Sequence, residues 1–475
     1  MHDSSSPTGR PRLKQSGTAL AHVASPATWR SAFEMRRADP TTAPALRVGL
    51  VGMIALVGCG LLGFTEIAAF TALGTLSSAF LRYEPYRRLA PRLAGVVALI
   101  VACAAFGATL GALGLNVWAQ VVLLSATGGI VFWLLQAFRI TGPGAAIMVF
   151  AAAGAAGFAQ DAQDVGEVTL AITVGAVLGW IVAMWPAILH PHSPARVAVA
   201  RALSAAAAVE GGNVAAEPAA RQSISTSRET IALTPHRRID AHTRELLALV
   251  DAAEKVVDSG SRDTLDPAHR DFADLAVRLR RIRSDFPVPT KSEREIEVED
   301  IKAHHPGPAF RAGVHRLGDR TILLDVARLG IACLIAGLLA AALGLDHPLW
   351  ATIGALTALQ GAHYHHTVQR GIQRVLGNAA GALVVVGIFA LHPGYWPLII
   401  VVIICQTCGE LFVTRNYALA QIFITTMALI LTGLGASGGA TIAATRIADT
   451  LIGVVIGVII AAVTIKNDDR HHLAV

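Results

Sequence analysis

The chain has 475 residues, 53% of them hydrophobic and 15% charged, with a mean hydropathy of +0.54. That balance excludes an ordinary water-soluble globular protein of this length and indicates a polytopic α-helical membrane protein. The net charge of +6 does not point to nucleic acid, because the basic residues are dispersed and fall at the ends of apolar runs.

Taken in order, residues 1–45 read as a polar cytoplasmic tail rich in Ser, Pro and Arg, without the apolar stretch that a cleaved signal peptide needs. Arg30, Arg36 and Arg37 are placed to meet anionic headgroups. A first apolar block, 46–190, divides into six spans near 46–64, 65–81, 92–114, 117–138, 142–159 and 166–189. A second block, 321–465, divides near 322–344, 348–362, 372–391, 395–413, 417–435 and 440–465. The spans 65–81 and 348–362 are shorter than the roughly 20 residues that cross a bilayer, so they are expected as half-helices or re-entrant segments. The fold class expected is all-α: two six-span repeats, about twelve transmembrane helices, and a helical cytoplasmic insert.

Between the blocks, residues 191–320 hold 20 of the 39 Lys and Arg and 19 of the 33 Asp and Glu, which marks a solvated insert. A helix is expected from Pro194 to about Val209, then a Ser/Thr/Gly-rich linker near 211–235. Apolar residues at helical spacing from Leu246 to Val257 and from Leu275 to Ile282, broken at Ser259-Gly260-Ser261 and Pro267, predict a helical hairpin. Pro287, Pro289, Pro306 and Pro308 mark a loop into the next span, and a short tail follows at 466–475.

Basic loops set the orientation. Arg82, Arg87, Arg88 and Arg92 lie between spans two and three and Arg139 between four and five, while the loop near Asp161, Asp164 and Glu167 is acidic. The second block repeats this with Arg370 and Arg374, then Arg415, then Lys466 and Arg470. By the positive-inside rule both termini and the insert of this multi-pass protein are expected on the cytoplasmic side. The blocks also read as a duplication: Arg92-Leu-Ala-Gly95 aligns with Arg374-Val-Leu-Gly377, Arg139 with Arg415, and Gly175-x-x-x-Gly179 with Gly453-x-x-x-Gly457. Equal orientation of both halves implies a pseudo-twofold axis along the membrane normal.

Ionisable groups at membrane depth are functional candidates by default. Arg446 and Asp449 share a helix face on the last span, either as a mutual salt bridge or as a carboxylate-binding arginine beside a titrating aspartate. Gln406 and Glu410, and Tyr417, Gln421 and Thr425, form polar stripes that either stitch helices together or line an aqueous path with Arg415 and Asn416 at its mouth. His363, His365 and His366 sit on a short turn without Cys or acidic neighbours, so they read as facing headgroups or, with Arg370 and Arg374, as a basic vestibule, rather than as a metal site. Trp350, Tyr395 and Trp396 near span ends read as interfacial anchors. Gly377 with Gly381, Gly453 with Gly457 and Gly175 with Gly179 are helix-packing steps. The five cysteines lie in apolar runs and behave as small hydrophobes. No nucleophile–base arrangement, Walker loop or paired catalytic carboxylate is found, so neither catalysis nor a cofactor is expected.

Three motifs in order carry a family resemblance: Trp350 followed by Arg370-x-x-x-Arg374-x-x-Gly377-x-x-x-Gly381, Glu410-Leu-Phe-Val-Thr-Arg-Asn-Tyr417, and Arg446-Ile-Ala-Asp449-x-x-x-Gly453-x-x-x-Gly457. Over about 320–465, and more weakly over 46–190, the chain resembles the fusaric acid resistance or aromatic acid exporter family. The resemblance implies export of aromatic carboxylic acids or similar amphipathic anions, coupled to protons, and it favours the path reading of the Glu410 to Tyr417 run. The partners it implies are the bilayer, a small organic anion and protons, with a path formed by one chain or by a homo-oligomer. Two alternatives stand beside it: a passive anion channel, and a membrane scaffold whose insert recruits envelope partners. The first block lacks an Arg446 equivalent, having Val168 and Ala171 where the second has Arg446 and Asp449, so the halves are chemically unequal.

Overall fold

The computed structural model describes residues 29–30, 33–35, 39, 41–210, 213–234, 241–259, 271–281, 309–345, 347–360, 364–434 and 439–464. It is all-helical among these residues. The first block comprises α1 (Thr42–Leu62), α2 (Ala68–Thr75, continued by a 3-10 turn Leu76–Ala79), α3 (Tyr86–Ala112), α4 (Val117–Ala137), α5 (Ala145–Phe158) and α6 (Ala162–Met184). The insert carries α7 (Ser193–Glu210), α8 (Glu217–Ala232), α9 (Ala241–Ser259), α10 (Phe272–Arg280) and α11 (Ala309–Arg316). The second block comprises α12 (Arg320–Ala342), α13 (Leu349–Leu359), α14 (Tyr364–Ala390), α15 (Tyr395–Phe412), α16 (Tyr417–Leu434) and α17 (Gly439–Val463). Among the described residues, eight helices are long and apolar enough to cross a membrane.

Helix starts are fixed by short polar side chains that satisfy backbone N–H groups otherwise left without partners. Asn116 accepts from Ala119 N at 2.9 Å before α4, Asp319 from Thr321 N at 2.9 Å before α12, and Asn416 from Ala418 N at 2.9 Å before α16. The block helices are apolar on all sides, with Leu61, Ile130, Leu170, Leu383 and Ile400 among the large side chains turned outward. Such surfaces are stable against lipid and not against water.

The chain falls into two compact units. One comprises 1–80, 97–179 and 313–475. Within it the short helix α2 is wholly buried, and α13 is buried from Trp350 to Leu359. They are enclosed because glycines remove the side chain at the contact: a methyl at Gly453 would stand 2.3 Å from the Ala351 carbonyl, and one at Gly175 would stand closer still to the Thr71 carbonyl. Helix α14 packs on α16 and α17, α1 on α15, and α12 on α4.

The other unit comprises 81–96 and 180–312. Helices α7 to α10 close an apolar core around Leu203, Ile224, Leu249, Val250, Val256, Phe272 and Leu279. Residues 81–96 join it through Trp180 Nε1, which donates to Ala90 O at 2.9 Å, and through Arg201, whose guanidinium lies 4.9 Å from the Tyr83 ring centre.

Four expectations need correction. The stretch expected as a linker near 211–235 contains helix α8, whose Ala220, Ile224 and Ile231 bury one face in the core. Arg87, Arg88 and Arg92 lie on the opening turns of α3 rather than in a loop, because the helix begins at Tyr86. The His-rich turn is helical from Tyr364, so His365 and His366 belong to the first turn of α14, while His363 lies outside the described residues. Trp350 is not an interfacial anchor: it is 9% exposed and packs on Phe150 with ring centres 5.0 Å apart. The prolines at 287, 289, 306 and 308 and the tails at 1–28 and 465–475 also lie outside the described residues.

Candidate functional site

Helix α14 is the axis of a polar interior in the second block. Gly377 and Gly381 let α16 approach so closely that a methyl at Gly377 would stand 2.5 Å from Gln421 Cβ. That closeness brings short polar side chains into direct contact. Asn378 Oδ1 accepts from Gln421 Nε2 at 2.7 Å and from the Thr425 hydroxyl, while Asn378 Nδ2 donates to Thr450 Oγ1 on α17 at 2.6 Å. Gln421 Nε2 also donates to Thr425 Oγ1 at 3.1 Å. All four residues are 0–2% exposed, and the fully buried Asp449 neighbours Thr450 on α17. Hydrogen bonds joining three helices inside an apolar bundle fix their relative rotation, since nothing else there can satisfy these groups.

One turn before Asn378, Arg374 is 5% exposed, and its Nε has no acceptor among the described residues. A guanidinium carries five donors and stays protonated, so burying one without an anion is costly. Its aligned position in the first block, Arg92, is ion-paired with Glu84 instead. One further turn out, Arg370 sits 5.4 Å from the centre of the Tyr417 ring. Arg374 reads from the sequence as part of a basic vestibule; it is buried, and α14 begins ten residues before it, which is about 15 Å of helix.

On α15, Gln406 and Glu410 are both buried, and Gln406 Nε2 donates to Thr75 Oγ1 of α2 at 3.1 Å. Gln406 therefore stitches α15 to α2. Asn416 caps α16 and donates from Nδ2 to Phe33 O at 3.0 Å, and Arg415 beside it is half-buried. Arg446 lies on α17, but its side chain, like those of His365 and His366, is outside the described residues. The structure thus brings together Gln421, Thr425, Asn378 and Thr450, with Arg374 and Asp449 on the same helices; Glu410 and Gln406 stand on α15. Asn378, Thr450 and Thr75 carry no role that is legible in the sequence alone. The signal for Asn378 was its place between two glycines that mark a helix contact.

These features define a polytopic α-helical membrane protein with a polar, partly charged interior in its second block. Residues 334–460, from within α12 to near the end of α17, match the family model described as fusaric acid resistance protein-like. The chain is 23% identical over 423 residues to the uncharacterized membrane protein YvaC of Bacillus subtilis (strain 168), over 80% of this chain and 65% of that protein. It therefore spans about 65% of the length of the curated relative that it matches. No solved structure matches. Its second block is thus similar to the fusaric acid resistance protein-like family, and the chain as a whole is similar to a membrane protein.

Proposed function

We propose that the protein transports small organic anions across the bacterial inner membrane, along a path through the second block. The observation that carries this reading is Arg374: a permanently charged group buried among apolar helices, with its Nε unsatisfied among the described residues. A carboxylate is the ligand that a guanidinium fork takes best. Aromatic carboxylic acids are the cargo we favour, because the family description concerns resistance to such an acid. Buried Asp449 and Glu410 are the groups we assign to proton exchange, with Arg446 beside Asp449 as a second contact for the cargo. Arg370, Arg415, Asn416, Tyr417, His363, His365 and His366 would surround the cytoplasmic mouth, with both termini and the insert on that side.

We also propose that the two blocks are diverged repeats about a pseudo-twofold axis. Their pairings are reciprocal: α1 with α15 and α12 with α4, α2 with α16 and α13 with α5. A methyl at Gly49 would meet Thr407, and one at Gly129 would meet Val326, pairs related by offsets of 277 and 278 residues. The close steps at Gly74 with Ile172 and at Gly354 with Gly453 repeat at similar spacing.

The test is 4-hydroxybenzoate binding to the purified protein, followed by tryptophan fluorescence. Arg374→Gln is expected to weaken binding at least tenfold, equivalent to about 1.4 kcal/mol, with Arg374→Lys between the two. Equal affinity in wild type and Arg374→Gln would remove Arg374 from the path.

A further inference from the structure

The helical unit formed by 81–96 and 180–312 contains a cavity of about 280 Å³ that the transport path does not use. It is bounded by the turn after Leu189, the first turns of α7 and α9, and the C-terminus of α10. Its polar lining is basic: His190, His192, Arg196, His242, Arg280 and Arg281, with no acidic residue among the described lining residues. The two longest helices of the unit, α7 and α9, begin here, so the positive ends of their dipoles add to the side-chain charge. The negative end of α10 is already covered, because Arg196 Nη2 donates to Arg281 O at 2.6 Å. Partial burial lowers the pKa of Arg196. His192 and His242 stack with ring centres 5.4 Å apart. They do not form a metal centre: among the described residues no group of three His, Cys, Asp or Glu side chains does.

We propose that this cavity is a phosphate-binding site. Arginine and histidine side chains border about 280 Å³, and a phosphate group, with several acceptor oxygens and more charge than a carboxylate, is the anion that such a lining suits best. The volume fits a headgroup-sized molecule. The source is either the headgroup of an anionic phospholipid or a soluble phosphate compound. The site immediately follows a helix apolar enough to cross a membrane, and Trp185, Ile188 and Leu189 beside it are 61%, 80% and 61% exposed. An exposed tryptophan next to cations is what a bilayer surface selects.

The experiment uses the full chain, purified in detergent and stripped of lipid. Native mass spectrometry measures binding of added phosphatidylglycerol, and calorimetry measures binding of inorganic pyrophosphate. The comparison variant is His190→Gln with Arg281→Gln; both residues are exposed, and its elution on gel filtration checks that it folds. At least one probe is expected to bind saturably, and at least tenfold more weakly to the variant, with affinity falling as salt is raised. Phosphatidylglycerol binding that pyrophosphate does not displace identifies a lipid site, and displacement identifies a soluble phosphate. Absence of saturable binding of both probes, or binding that the variant leaves unchanged, would overturn the proposal.

Discussion

Asn378 uses its side-chain oxygen twice as an acceptor and its amide once as a donor, each time with a group fully shielded from solvent. Asn378→Ala would leave the Gln421 amide and the hydroxyls of Thr425 and Thr450 to find other partners. A buried group left unsatisfied costs about 1–3 kcal/mol. The variant is therefore expected to unfold at lower temperature in detergent than wild type, followed by the scattering or fluorescence transition; an unchanged transition would mean that the network contributes nothing. Part of this cluster was legible in the sequence. The four-residue spacing of Gln421 and Thr425 announces a polar stripe on one helix face, and an arginine before a Gly-x-x-x-Gly helix announces a charged approach. What could not be read was depth. Arg374 looks like a mouth residue when the helix is taken to start where the apolar run starts, and the His-rich segment hides the preceding turns of α14 because its residues are polar.

At the scale of helices, the glycine steps separate positions that must be glycine from those that need not be. Gly453 faces backbone on α13 at distances no side chain tolerates, whereas a methyl at Gly95 in α3 would meet nothing within 4 Å. Gly453→Val is expected to push α17 from α13 and to abolish a monodisperse elution peak. Gly95→Ala is expected to be neutral or to stabilise by about 0.5–1 kcal/mol, since alanine favours helix over glycine. Comparable yields for the two variants would contradict the packing. Each of the twelve apolar runs contains a helix, because runs broken by Gly, Pro and charge leave few alternatives, and among the described residues eight of these helices are long and apolar enough to cross a membrane. Helix α8 escaped notice because Ser and Thr disfavour helix interiors. Here the hydroxyls of Ser223, Thr226, Ser227 and Thr230 bond back to carbonyls four residues earlier, and the helix is held by burial of Ile224 and Ile231.

At the scale of the molecule, the reciprocal pairing of the blocks makes each half complete the other's surface. Gly49 in α1 and Thr407 in α15 are close enough that a built Cβ lies 3.3 Å from Thr407 Cβ, near the spacing of a disulfide. In a background without the native cysteines, Gly49→Cys with Thr407→Cys is expected to cross-link on mild oxidation, read as a gel shift after cleavage at a site engineered between the blocks. No cross-link would contradict the pairing. On the proposed repeat alignment the blocks differ where charge matters: Arg92 is ion-paired with Glu84, whereas Arg374 at the matching position is buried on α14. This asymmetry agrees with a single anion site rather than two equivalent ones.

An inside-negative potential already favours anion exit by about 2.3 kcal/mol per charge per 100 mV, so export alone does not distinguish a proton-coupled transporter from a passive channel. The most direct test is uptake of labelled 4-hydroxybenzoate into everted membrane vesicles, with an acid-inside pH gradient and, separately, with an inside-positive potential alone. Uptake is expected to require the pH gradient, to fall at least tenfold in Arg374→Gln, and to be reduced in Asp449→Asn. Uptake driven by the potential alone would contradict proton coupling and indicate a channel. Uptake no greater than in vesicles lacking the protein, repeated with several aromatic acids, would contradict transport of this class of cargo.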